Sequence, residues 1–85
     1  MNHSLVIGRL YQTIAIVTLF DLATNHNGQW AYSEGIGDDA VETNSGTPIL
    51  IIDYMYKPNK ESNGIYIGLL NERTVIVYAN DVKVL

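Results

Sequence analysis

The sequence predicts a small all-β domain, and three observations carry that expectation. Its apolar residues come in short runs rich in Val, Ile and Tyr, the side chains that suit a pleated, half-buried surface. Clusters of Gly, Asn, Asp, Ser and Pro separate the runs and supply the turns. No run has the length of a typical helix. Hydrophobic residues make up 47% of the chain and charged residues 16%, which excludes the low-hydrophobicity, high-charge regime of disorder. Residues 1–85 are read as one domain with a dense core, because a chain this short buries a small share of its surface.

Taken in order, Leu5 to Thr13 reads as a short strand kinked at Gly8. Ile14 to Leu22 is dominated by β-branched and large apolar side chains and predicts a buried strand. From Thr24 to Pro48 the turn formers TNHNGQ, SEGIGDD and ETNSGTP predict a long loop. Within it, QWAYS alternates Trp30 and Tyr32 with Gln29, Ala31 and Ser33, as one strand of a protruding hairpin does. Pro48 opens a strand over Ile49 to Tyr56, and Lys57-Pro58-Asn59 ends it. Ile65 to Leu70 and Thr74 to Tyr78 form a hairpin about Asn71-Glu72-Arg73, and Val82 to Leu85 supplies a last short strand. Five to six short antiparallel strands suit a small barrel, with the long loop between its second and third main strands.

Composition narrows the function classes. There is no cysteine, so disulfides and thiolate metal sites are excluded and a cytoplasmic location is the expectation. The apolar stretch Ile14 to Leu22 is interrupted by Thr18 and Asp21 and falls far short of the roughly 20 residues of a spanning helix. The N-terminus lacks the pattern of a secretory leader. Net charge is −4, and between Arg9 and Lys57 every charged residue is acidic. With only five Lys and Arg, scattered along the chain, nucleic acid is not an expected partner.

The order of these segments resembles an SH3-like barrel, of the kind found among small early proteins of T4-like tailed bacteriophages. Gly8 to Tyr11 (GRLY) looks like the opening strand, Thr24 to Pro48 like an enlarged RT loop and Lys57 to Gly64 like the n-Src loop. Asn71 to Arg73 looks like the distal hairpin and Ala79 to Val82 like the helical turn before the closing strand. The resemblance implies a binding frame, but not the proline-peptide groove. Gly64-Ile65-Tyr66 stands where those domains have a tryptophan, and Ala79-Asn80-Asp81-Val82 where they have a proline and a tyrosine.

Candidate binding residues lie in the loop. Trp30 and Tyr32 have the amphipathic aromatic character of interface anchors. Trp30 has a second reading, folding back to cap the barrel. Glu34, Asp38, Asp39 and Glu42 form an acidic cluster suited to a basic partner, or to keeping a solvated loop soluble. The D-x-D alternation of a calcium loop is absent, and His3 and His26 have no partner at metal-ligand spacing, so neither a metal nor a cofactor is expected. No nucleophile elbow or phosphate loop is written, and no enzyme is expected. The strand Ile49 to Tyr56 is apolar on both alternating faces: Ile49, Ile51 and Met55 on one, Leu50, Ile52, Tyr54 and Tyr56 on the other. One barrel interior accommodates only one such face, so the long loop, a second copy or a partner must cover the other, and Tyr54, Tyr56 and Tyr66 are the expected self-association residues.

These readings converge on a non-enzymatic protein-binding module: a phage-encoded modulator or inhibitor of a host protein, acting in the host cytoplasm through the acidic, aromatic loop. The alternatives are a structural or homo-oligomeric component and a protein that sequesters a small ligand.

Overall fold

A computed structural model of the chain describes residues 4–33 and 40–85. Its described elements are nine strands and one 3₁₀ turn. The strands are β1 (Leu10–Thr13), β2 (Val17–Asp21), β3 (Ala23–His26), β4 (Gln29–Tyr32), β5 (Ala40–Asn44), β6 (Pro48–Tyr56), β7 (Ile65–Leu70), β8 (Arg73–Tyr78) and β9 (Val82–Val84); the turn spans Ala79–Asp81. The all-β expectation holds. The strands are more numerous than expected because, besides the hairpin strand expected around Trp30, which is β4, the described part of the middle region carries β3 and β5. All pairing is antiparallel. The main sheet runs β8-β7-β6-β1-β9, and β2-β5 and β3-β4 form separate two-stranded sheets. The sheets are not closed into a barrel, which corrects that expectation: the hydrogen-bonded order of the main sheet ends at β8 and at β9.

Two further corrections concern the first strands. Gly8, at φ +88°, turns the chain before β1, so the strand starts at Leu10 and not at Leu5. Buried tyrosines fix the segment ahead of it: Leu5 N–H donates to the Tyr66 hydroxyl (3.0 Å) and Val6 N–H to the Tyr11 hydroxyl (2.8 Å). The Ile14 to Leu22 run is not a buried strand. Only Val17–Asp21 is extended, and of its residues only Phe20 is buried. Its pairing with β5 gives it an outer face (Val17, Leu19, Asp21) and an inner one (Thr18, Phe20).

The inner face of β2–β5 packs on one side of the main sheet. Phe20 and Val41 meet Ile49, Ile51, Tyr66, Val75 and Val77 in the larger core. The chain then passes the β8 edge, where Leu22 bridges Val75 and Thr74 Oγ1 donates to the Ala23 carbonyl (2.8 Å). Beyond it, β3–β4 lies over the opposite side, closing a second core of Ala23, Ile67 and Ile76 with Trp30, Ile52, Met55 and Ile65. The long excursion therefore covers both faces of one sheet. Asn27 and Gly28, at φ +55° and +84°, form the two-residue turn of the β3–β4 hairpin, the Asn-Gly signature of a primed turn.

β6 serves both cores because its register slips twice against β7, between Ile51 and Asp53 and between Tyr54 and Tyr56. Each slip places one extra residue on β6, which is the geometry of a β-bulge. The first reverses the alternation. Tyr54 turns to the larger core and Met55 to the smaller one, the opposite of strict alternation from Ile49. The Tyr54 and Tyr66 rings contact at 5.5 Å and 42°. Tyr66 is fully buried, so it cannot lie on a self-association surface as expected.

Gly68 sits where β7 crosses the larger core. A Cβ there would lie 2.6 Å from Ile49 Cγ2 and 2.9 Å from Val77 Cγ2. Gly68→Ala is expected to overpack the core and cost on the order of 1–3 kcal/mol, measured as a lower urea midpoint at unchanged slope.

Candidate functional site

The two aromatic residues singled out in the sequence stand on the same hairpin strand but are tied to different neighbours. Trp30 is half-buried against the smaller core. Its indole N–H donates to Asp53 Oδ2 on β6 at 2.8 Å, and Asp53 Oδ1 accepts the backbone N–H of Tyr54 at 2.8 Å. These two hydrogen bonds, the indole's first, hold the Asp53 carboxyl below the usual carboxylate range, and the charge of Lys57 adds to the effect. Trp30 thus clamps the hairpin to the sheet. Tyr32 stays exposed, and its hydroxyl meets that of Tyr78 on β8 at 2.9 Å. That hydrogen bond is the main reason its acidity is weakened, with burial, Tyr78 and Asp21 adding to it.

Glu42 lies exposed on β5, opposite Leu19 of β2. Glu34, Asp38 and Asp39, expected to join it in an acidic cluster, lie outside the described residues. Tyr54 is half-buried, and Tyr56 is 61% exposed at the end of β6. His26 is exposed on β3, its Nε2 3.3 Å from Thr24 Oγ1. Among the described residues no group of three or more His, Asp or Glu side chains is placed to hold a metal ion, and no helix is long and apolar enough to cross a membrane.

Two features escape a strand-by-strand reading of the sequence. The first is the outer face of β2–β5. Leu19 is 65% exposed and Val17 52%, with Ile16, just ahead of the strand, 84% exposed, and the register sets Val17 against Asn44, Leu19 against Glu42 and Asp21 against Ala40. Apolar side chains and carboxylates therefore alternate on an open surface. The second is an open depression of about 300 Å³ between the hairpin and the end of β6, lined by Gly28, Gln29, Trp30, Tyr54, Met55 and Tyr56. Trp30 and Tyr54 stand 24 positions apart in the sequence. Only the fold-back of β3–β4 brings them together.

The clamp has a definite pH dependence. A carboxyl whose folded-state pKa is lowered contributes stability that is fully present above its unfolded pKa and lost as pH falls through the lowered value. Wild type is expected to melt above Asp53→Asn at pH 7, with the gap closing on acidification below the carboxylate range, as followed by circular dichroism. No protein-family model, no curated protein and no solved structure matches the chain.

Proposed function

We propose that the chain is a non-enzymatic protein-binding module on an SH3-like frame, docking through the outer face of β2–β5 and the acidic segment that precedes β5. The frame is supported by the order of elements: an opening strand β1, a long excursion, the β6-β7-β8 meander, a 3₁₀ turn and a last strand that returns to pair with β1. The carrying observation is the open pair Val17 and Leu19 beside Asp21 and Glu42, with exposed Ile16 just ahead of β2. Apolar side chains left in water on a two-stranded ribbon cost solvation that a partner's groove recovers. The carboxylates select a groove bordered by Lys or Arg, consistent with the wholly acidic charge between Arg9 and Lys57. Asp38 and Asp39 immediately precede β5 in the chain and extend the same charge. Trp30 fixes the separate β3–β4 hairpin to β6, and Tyr32 on that hairpin stays accessible.

Leu19→Asp and Ile16→Asp are expected to leave the fold intact, because neither side chain is in a core. Each should lower retention of the partner on a tagged-protein column at least tenfold, and 0.5 M NaCl should weaken wild-type retention through screening. Retention unchanged in both variants would remove this reading.

Self-association is a second reading, supported by a different surface. The β1–β6 and β6–β7 registers align Leu10, Leu50 and Leu69 in one row across the main sheet, and Leu10 and Leu69 are exposed. A second copy laid on that row would bury it, with exposed Tyr56 available beyond the hairpin. Light scattering is then expected to give a dimer that Leu69→Glu dissociates; a wild-type monomer at high concentration excludes it.

A further inference from the structure

The outer face of the β2–β5 ribbon adjoins an open strand edge, and the ladder register shows which backbone groups that edge offers. Ser45 N–H donates to the Ile16 carbonyl, so the pairs in step with it, Thr18–Thr43 and Phe20–Val41, are the hydrogen-bonded ones. The alternate pairs, Val17–Asn44, Leu19–Glu42 and Asp21–Ala40, turn their N–H and C=O groups away from the partner strand. On β5 those groups belong to Ala40, Glu42 and Asn44, and among the described residues β5 pairs only with β2. The Asn44 carbonyl is already taken by Thr13 Oγ1 and Thr47 Oγ1, each at 2.6 Å. Ala40 and Glu42 therefore form the open stretch. The ribbon's other edge is engaged at its end, because Leu22, directly after β2, bridges Val75 of β8.

Strand edges left in water are ordinarily blunted by brevity, lysine, proline or a bulge. At one end of the main sheet, β9 has two of these devices, being three residues long with Lys83 in the middle. By contrast, β5 has five residues, AVETN, with an unbroken register and neither lysine nor proline. Its single charge is Glu42, exposed on the same face as Leu19. Two copies pairing antiparallel, edge to edge about Glu42, would set like carboxylates directly opposite each other, which is destabilising. A strand with Lys or Arg opposite Glu42 makes the favourable pair instead, on the face that also carries Leu19 and Asp21. We infer that the occupant of the docking face is an extended basic segment of the partner protein, adding a third strand to the ribbon. Its backbone pairs with Ala40 and Glu42, and its Lys or Arg meets the Glu42 carboxylate. The inference rests on the docking reading above and specifies its mode: main-chain hydrogen bonds supply attachment, and alternate side chains supply selection.

The probe is the peptide acetyl-Lys-Val-Lys-Val-Lys-Val-amide, titrated at constant ionic strength into the isotope-labelled protein. Amide shifts of Val41 and Thr43, which flank Glu42, read the affinity by magnetic resonance, and hydrogen exchange of the Glu42 amide reads the edge itself. Saturable shifts are expected, with Glu42 exchange slowed about tenfold in the complex. N-methylation of the lysines removes the N–H groups that face β5 and should weaken binding about tenfold. N-methylation of the valines, whose N–H groups face away, should change it less than about threefold. Glu42→Gln keeps the edge but loses the charge pair, and should weaken binding about threefold. Glu42→Pro also removes an N–H that the β2–β5 ladder does not use, and should abolish binding. Circular dichroism confirms that both variants fold, and the methylated peptides carry the same test on the wild type. Absence of saturable shifts overturns the inference. So does an N-methyl-lysine peptide that binds as tightly as its parent, which would mark charge attraction alone, or a Glu42→Pro variant that binds as Glu42→Gln does. If Leu19→Asp still releases the partner alongside any of these results, the face docks through side chains and only the added strand is removed.

Discussion

The structure depends on one constraint: β6 has apolar side chains on both faces and must satisfy two cores with a single strand. A regular strand would point Asp53 to the same side as Ile49 and Ile51, into the larger core, where an unpaired carboxylate is costly. The slip between Ile51 and Asp53 prevents this. It turns Asp53 outward to the hairpin, where it meets Trp30, and brings Tyr54 inward against Tyr66. The polar interruption in the strand thereby becomes the anchor of the segment that covers its second face.

That coverage explains why the long middle of the chain is folded. The β2–β5 sheet closes the larger core through Phe20 and Val41, and β3–β4 closes the smaller one through Ala23 and Trp30. The crossing at Leu22 and Ala23, bonded to Val75 and Thr74 of β8, joins the two layers. The protruding hairpin is held by its packing, by the indole–carboxylate bond and by the Tyr32–Tyr78 hydroxyl pair. It is a structural lid on the sheet, and its exposed side chains owe their positions to that attachment.

Much of this is legible in the sequence. The strands Ile49 to Tyr56, Ile65 to Leu70 and Thr74 to Tyr78, a turn about Asn71-Glu72-Arg73 (of which Arg73 already belongs to β8) and the hairpin strand of Trp30 follow from β-branched runs and turn residues. So does the need to cover a second apolar face. The bulges are not legible, because the side-chain period is two and one extra residue reverses every later assignment without changing composition. Asp53 in the middle of an apolar run is the only local sign of them. The exposure of Val17 and Leu19 is hidden for another reason. Composition shows that a run is apolar, whereas burial is decided by the partner strand, and β5 lies far along the chain with its own polar residues opposite. Of the residues expected to bind, Tyr66 is lost to the core, and Trp30 serves first as a clamp.

The same contrast separates the two exposed apolar regions by what surrounds them. Leu10, Leu50 and Leu69 lie across strands of the main sheet, a surface without nearby carboxylates in its register. Val17 and Leu19 lie on a two-stranded ribbon and share their register with Glu42 and Asp21. Two copies meeting through the ribbon would bring these carboxylates together, which like-charge repulsion disfavours. A basic partner meets the same charges as complements. The electrostatics of the ribbon therefore favour a different protein over a second copy of this chain, while the leucine row has no such bias.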